Sequence, residues 1–379
     1  MFSGKIHASA AFGLESSVRR ELEALGFKDI KTDRGHLVFN GDMKDVALAN
    51  LALRVADRVE LELASFEAGE YEDIYRGVRN IDWPYIIGEM GAFPVNAGTV
   101  SSKLKSVRDL QSVAKKAIVD RLRDRFKLTY FQESGPTYPI RLRLNNDHCQ
   151  VLLDTTGEGL FKRGYREEKG GAPIKETLAS GLVDLSFWNK DRPLLDPFCG
   201  SGTILIEAAR KARNIDPGLD RNFTFMAWPQ VDLKEFKKIR RQRMERIDFK
   251  DKLEIMGFDI DPGIIKTAVA NAHEAGVADD IIFVPKDMRE CNLKENFGVI
   301  ITNPPYGKRL GEVDEAEGLL KDFAEHFSRL RTWSTYVISP TKNLEKYMMK
   351  KADKRRKLFN GGLETTYYQF YGPNPAAFL

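Results

Sequence analysis

Between residues 193 and 339 the chain repeats one pattern, with short apolar runs at 193–196, 255–259, 281–285, 299–302 and 335–339 and helix-forming segments between them. Such alternation predicts a doubly wound α/β domain with a mostly parallel sheet, because parallel strands are joined by helical crossovers that cover both faces. Open sheets of this kind bind ligands beyond the carboxyl ends of their strands, so the residues following each run are the first place to look for chemistry. Residues 214–252 form an insertion between the first two strands, with Trp228-Pro229 and a basic helix from 233. Asn360-Gly361-Gly362, followed by a β-rich run over 365–371, predicts a terminal hairpin.

This pattern occupies residues 166–379, and a 379-residue chain has room for further domains. Residues 1–65 read as a small α+β unit: Val18, Leu22 and Leu25 at helical spacing before Gly26, a strand over 36–39, a helix near 43–56, and period-two alternation of Val59, Leu61 and Leu63. Residues 66–165 read as a second α/β unit. A strand is expected from Phe93, a helix along Leu110, Ala114, Ala117, Ile118 and Leu122, and two more strands over 140–144 and 150–153. No internal repeat suggests a solenoid.

A hydrophobic fraction of 42% with 30% charged residues is ordinary for a soluble globular chain. Cys149, Cys199 and Cys291 are too few and too scattered for a disulfide framework or a zinc site, and the five histidines lack ligand spacing. No metal, no covalent intermediate and no membrane segment are expected, and a cytosolic setting is. The net charge is only +4, but it is unevenly placed. Segment 101–130 carries nine Lys/Arg against three Asp, 234–252 nine against four acids, and 340–360 eight against two. Each is either the solvated face of an amphipathic helix or part of a phosphate-binding surface. In the first, Lys103, Lys105, Arg108, Lys115 and Lys116 are the candidate nucleic-acid contacts. Tyr71, Tyr75 and Trp83 suit RNA stacking and domain packing equally.

The first run ends in Asp196-Pro197-Phe198-Cys199-Gly200-Ser201-Gly202-Thr203, where small residues let a ligand approach the backbone. A dinucleotide fingerprint would require a small residue where Leu205 stands and an acidic residue about 20 positions on, and neither is present as required. Asp259, followed by Ile260, ends the second run and suits the two hydroxyls of a ribose. Asp287, followed by Met288, ends the third and suits an adenine amine. Either alone could be a helix cap or turn residue, but the ordered series describes an adenosine pocket.

The fourth run is followed by Asn303-Pro304-Pro305-Tyr306. An exocyclic amine on a nucleobase is a poor nucleophile because its lone pair is delocalised into the ring. Acceptors that hold both N–H bonds favour a tetrahedral nitrogen, and the Asn303 side chain with the Pro304 carbonyl can supply them on a loop stiffened by prolines. Tyr306 can stack on a base taken out of its helix.

With these motifs, residues 166–379 resemble class I methyltransferases of the Asn-Pro-Pro-Tyr type. Lys175, Glu176 and Thr177 resemble that family's cofactor-contacting helix. The stretch from Asp154 through Arg163 to Arg166 is similar to the junction in THUMP-containing RNA methyltransferases. The whole chain resembles the bacterial large-subunit ribosomal RNA guanine-N2 methyltransferases, which implies a ferredoxin-like domain (1–65), a THUMP domain (66–165) and a single catalytic domain (166–379). The resemblance implies S-adenosylmethionine as cofactor, 23S ribosomal RNA as partner before or during subunit assembly, direct in-line transfer to a flipped base, and RNA contacts at Arg163, Arg166, Lys308 and Arg309. An adenine-N6 methyltransferase acting on DNA or RNA shares the tetrad and stays open as the alternative, as does a non-catalytic RNA-binding module.

Overall fold

The computed structural model describes residues 3–166, 174–294, 296–307 and 310–374. Strands β1 (Ser3–Ala10), β2 (Lys31–Asp33), β3 (His36–Asp42), β4 (Ala56–Glu67), β5 (Val95–Val100), β6 (Ile140–Asn145) and β7 (His148–Asp154) form one sheet in the order β2-β3-β1-β4-β7-β6-β5. All these pairs are antiparallel except β5 with β6. Helices α1 (Glu15–Ala24), α2 (Met43–Ala52), α3 (Tyr71–Arg79), α4 (Trp83–Ile87) and α5 (Val107–Phe126) connect them. The helix expected near 43–56 stops at Ala52, where Leu53 turns extended, and begins in a capping box between Asp42 and Asp45.

Strand β4 is the joint of this half, pairing with β1 along one edge and β7 along the other. The division expected at 65/66 therefore falls inside a strand shared by both N-terminal units. Val59 and Leu61 enter the core, while Glu60 takes ion pairs from Arg141 and Arg143, and Glu62 bonds His7 at 2.9 Å. The alternating arginines of β6 thus reach across β7 to one buried carboxylate on β4.

The second sheet holds β8 (Leu194–Asp196), β9 (Ile255–Asp259), β10 (Ile281–Pro285), β11 (Val299–Thr302), β12 (Ser334–Ser339), β13 (Lys354–Asn360) and β14 (Leu363–Phe370), in the order β10-β9-β8-β11-β12-β14-β13. Strands β8 to β12 are parallel, and β14 lies antiparallel between β12 and β13. Helices α6 (Glu176–Leu185), α7 (Thr203–Ala212), α8 (Leu233–Met244), α9 (Pro262–Glu274), α10 (Leu310–Phe327) and α11 (Leu344–Tyr347) complete the domain. The basic segment 340–360 is not one amphipathic helix: it holds the short α11, a turn over 348–353 and edge strand β13, where exposed cations are a common guard against unwanted pairing.

One apolar core runs from the first sheet into the second. The insertion docks through Trp228, which is 1% exposed, stacks on Tyr138 with ring centroids 5.2 Å apart, and donates Nε1 to the Thr137 carbonyl at 2.9 Å. Arg54 reaches the Ile215 carbonyl at 2.8 Å, and the Gly218 amide donates to the Leu51 carbonyl at 2.9 Å. At the centre, the buried Glu207 accepts from Tyr165 at 3.0 Å and from Ser180, and pairs with Arg163 at 3.5 Å. Burial works to raise its pKa, but Arg163, Ser180 and the other arginines outweigh that and lower it.

Candidate active site

The carboxyl ends of β8 to β11 open onto a cavity of about 370 Å³. Its walls are Pro197, Phe198 and Gly200 after β8, Asp259 at the end of β9 with Ile260 after it, residues 286–289 after β10, Asn303 and Pro305 after β11, and Leu319 of α10. The four strand-end motifs thus meet in one place, as a parallel sheet requires when consecutive crossovers leave from the same edge.

Gly200 and Gly202 have φ of +50° and +83°. A Cβ on Gly202 would stand 2.8 Å from Phe283 Cζ, whereas one on Gly200 would meet nothing within 4 Å. One glycine is needed for packing against the sheet, and the other leaves the backbone open at the cavity. Asp259 Oδ2 accepts from the Gly200 amide at 3.1 Å and Oδ1 from the Asp261 amide at 3.0 Å, which fixes the carboxylate while each oxygen keeps acceptor capacity. Ile260, 72% exposed, adds an apolar wall beside it.

Asp196 is 2% exposed, beneath the loop. Its Oδ1 accepts from Thr302 Oγ1 at 2.6 Å and from the Phe198 amide at 3.1 Å, tying β8 and its glycine loop to β11 just before Asn303. Burial pushes its carboxyl up to about 7 against those hydrogen bonds. Asp287 accepts from the Arg289 amide, Nε and Nη2 at 2.9, 3.0 and 2.6 Å, and these bonds hold its pKa below the ordinary value. Part of its capacity is therefore taken by Arg289. Met288 beside it is buried.

After β11, Pro304 is buried and Asn303 half-buried. Tyr306 donates its hydroxyl to Asn303 Oδ1, lies 3.5 Å from the Ile338 carbonyl, and accepts from Asn360 Nδ2 at 3.5 Å. Burial pushes the phenol up to about 12, so at neutral pH it is a neutral donor that holds the Asn303 carboxamide in place.

Other expected contact residues are not among those that line the cavity. Lys175 Nζ sits 4.6 Å from the Phe161 ring, Glu176 pairs with Arg166 at 3.5 Å, and Thr177 donates to Asp57 at 2.7 Å, so these residues fasten α6 to the junction and the N-terminal half. Cys199 is buried, which raises its thiol pKa, and Ser201 and Thr203 shape the turn, Oγ to Oγ1 at 3.4 Å. The RNA contacts expected at Arg163 and Arg166 are corrected. Arg163 is 2% exposed and spent on the Leu160 and Arg54 carbonyls and Glu207, while Arg166 holds the Ile174 carbonyl at 3.0 Å and Thr203 at 2.7 Å. Lys115 is half-buried against Phe93 and paired with Glu133 at 2.6 Å. Lys105, Arg108 and Lys116 are exposed, and exposed Lys103 lies 3.9 Å from Asp147. Trp83 is fully buried, with Nε1 on the Val78 carbonyl at 2.7 Å, and Tyr75 donates to Asp120 at 2.8 Å, so both pack rather than wait for a base. Lys308 and Arg309 lie outside the described residues.

The sequence left four site residues unmarked: Lys286, Arg289 and Leu319 on the walls, and Asn360 behind Tyr306. The two cations flank Asp287 in the chain, which was the available signal. Asn360 was visible only as a turn residue.

Comparison with known proteins accords with this architecture. Residues 163–369 match a family model described as the RMKL-like methyltransferase domain, residues 5–60 one described as the RlmL ferredoxin-like domain, and residues 68–154 the THUMP domain. The Bacillus subtilis protein named "Putative RNA methyltransferase YpsC" is 42% identical over 366 residues, covering 96% of this chain and 95% of that protein. SMU.472, described as "a putative methyltransferase complexed with SAH", is similar with a TM-score of 0.92 at 38% identity, covering 99% of each chain. A Listeria monocytogenes structure described as a predicted N6-adenine-specific DNA methylase gives a TM-score of 0.92 at 38% identity, over 98% of this chain and 97% of that one.

Proposed function

The chain belongs to the RMKL-like methyltransferase family, and from that premise we propose that it transfers a methyl group from S-adenosylmethionine to the exocyclic N2 amine of a guanine in large-subunit ribosomal RNA. The observation that carries this reading is that Asn303 and Pro305 share one cavity with Asp259, Ile260 and Asp287, so an amine-holding loop and an adenosine-type pocket open onto the same space. The SAH complex of SMU.472 supports the cofactor, and the open backbone at Gly200, the fixed Asp259 carboxylate and the apolar Ile260 suit a nucleoside. The THUMP domain and the name of YpsC support RNA as substrate.

The cofactor supplies an electrophilic methyl group on a sulfonium. The protein positions and polarises the nucleophile: the free acceptor capacity of Asn303 Oδ1 and the Pro304 carbonyl take the two N–H bonds of the amine, which frees its lone pair from the ring. Tyr306 keeps the Asn303 carboxamide from rotating. Once alkylated the nitrogen is acidic and loses its proton without a strong base, in keeping with a site whose tyrosine stays protonated and whose Cys199 thiol is raised.

Adenine-N6 is the second reading, favoured by the description of the Listeria relative and by an acceptor pair that suits either amine. The N-terminal half, matched by an RlmL ferredoxin-like domain and a THUMP domain, favours RNA and the ribosomal guanine. Asn303→Ala tests the chemistry: turnover on ribosomal RNA should fall about 100-fold or more while SAH affinity by calorimetry stays nearly constant. Near-normal turnover would mean that other groups hold the amine.

A further inference from the structure

We propose that Phe12 and Phe359 form a stacking platform for an unpaired nucleobase adjoining the target nucleotide, with strand β13 following the phosphates of that RNA strand. The inference rests on the RNA reading above and extends it to a surface built by both halves of the chain.

Phe12 lies in the loop between β1 and α1, and Phe359 lies near the tip of the β13–β14 hairpin. Their ring centroids are 5.9 Å apart at 76°, yet the two residues remain 48% and 36% exposed. Two large apolar rings brought together from opposite ends of the sequence and left open to solvent are poorly explained by packing alone. Their seat is firm. A Cβ on Gly13 would stand 2.6 Å from the Lys357 carbonyl oxygen, so that loop lies directly on β13, and Arg356 donates to the Gly13 carbonyl at 2.8 Å and to Ser16 at 3.3 Å.

The place and charge of this pair identify the occupant. Asn360, the residue after Phe359, contacts Tyr306 and through it Asn303, so the hairpin tip that carries Phe359 also touches the catalytic loop. Lys354, Arg355 and Lys357 are exposed on the same strand, and Lys357 Nζ is 5.5 Å from the Phe359 ring. Their acidic partners are Glu345, 2.9 Å from Arg355, and Glu364, 2.6 Å from Lys357. The Lys357–Glu364 pair is exposed on both sides, and pairs of that kind are weak and yield readily to phosphates. Cations interleaved with exposed aromatic rings are the composition that binds single-stranded nucleic acid, since every base has a face to stack and every link a negative charge. A target base leaving its helix would pull its neighbour out of register, and the platform would hold that neighbour while the target enters the cavity.

The test uses the full chain and a short single-stranded RNA carrying 2-aminopurine, read by anisotropy for affinity and by fluorescence quenching for stacking. Phe359→Ala and Phe12→Ala should each weaken binding about ten-fold and reduce the quenching, in line with the usual effect of removing one stacking ring. Phe359→Trp should restore both, and SAH affinity measured on every variant should be unchanged. Alanine variants that bind and quench like wild type would overturn the proposal, as would Phe359→Leu binding with full affinity, which would make the patch an apolar cover for a protein. Wild type that binds no RNA would instead sink the RNA reading itself.

Discussion

Asp196→Asn isolates the energetic cost of a carboxylate at the centre of the catalytic domain. Both hydrogen bonds to Asp196 end on Oδ1, from Thr302 and from the Phe198 amide, so an amide oxygen can keep both while the nitrogen takes the place of Oδ2. The variant therefore mimics the protonated acid. Burial raises the carboxyl from 3.8 to about 7. Because the folded pKa lies above the unfolded one, the folded protein holds a proton between those values that the unfolded chain has released. The contribution is fully present below the unfolded pKa and is lost as pH rises through about 7. Three pH units at roughly 1.4 kcal/mol each put the full effect on the order of 4 kcal/mol, with structural relaxation reducing it. Glu21, raised by burial to about 7, and His36, lowered by burial to about 4, titrate in both proteins and cancel in the difference. Thermal denaturation across the range from about pH 5 to about pH 8 should show the Tm of Asp196→Asn gaining on wild type as pH rises. A Tm difference that stays flat would refute the claim that this carboxyl is forced to keep its proton by burial.

Asp259→Ala should weaken S-adenosylmethionine binding by roughly 1–3 kcal/mol in calorimetry, part of it from losing the bond that orders the Gly200 backbone; unchanged affinity would place the ribose elsewhere. Trp228→Ala removes a fully buried ring stacked on Tyr138 and should destabilise the full chain by about 3–5 kcal/mol in chemical denaturation. A loss below about 1 kcal/mol would show that the insertion carries little of the junction between the halves.

The catalytic strands were legible because each is a short, nearly unbroken apolar run whose following residues meet at one edge of a parallel sheet. Strand β1 was not, since Ser3–Ala10 alternates only Ile6 with alanines and carries too little apolar signal. Strand β13 was hidden by Lys354, Arg355, Arg356 and Lys357, whose charges mask a strand with only Leu358 buried. The shared strand β4 was cut in two because its pattern records burial and not which partners lie on its edges. At the candidate site, the convergence of Asp259, Asp287 and the loop after β11 was visible because each follows a strand end at a spacing set along the chain. The cationic junction misled for a complementary reason. Arg163 is neutralised by Glu207, and only the fold brings that carboxylate to it. Asn360 needed the same knowledge, since nothing local says that a hairpin tip rests on Tyr306.

The central claim is tested most directly by nucleoside mass spectrometry of large-subunit ribosomal RNA from cells lacking this protein, complemented with wild type or with Asn303→Ala. N2-methylguanosine should fall by one site in the deleted strain, return with wild type and stay absent with Asn303→Ala. Unchanged N2-methylguanosine, or loss of N6-methyladenosine in its place, would contradict the assignment.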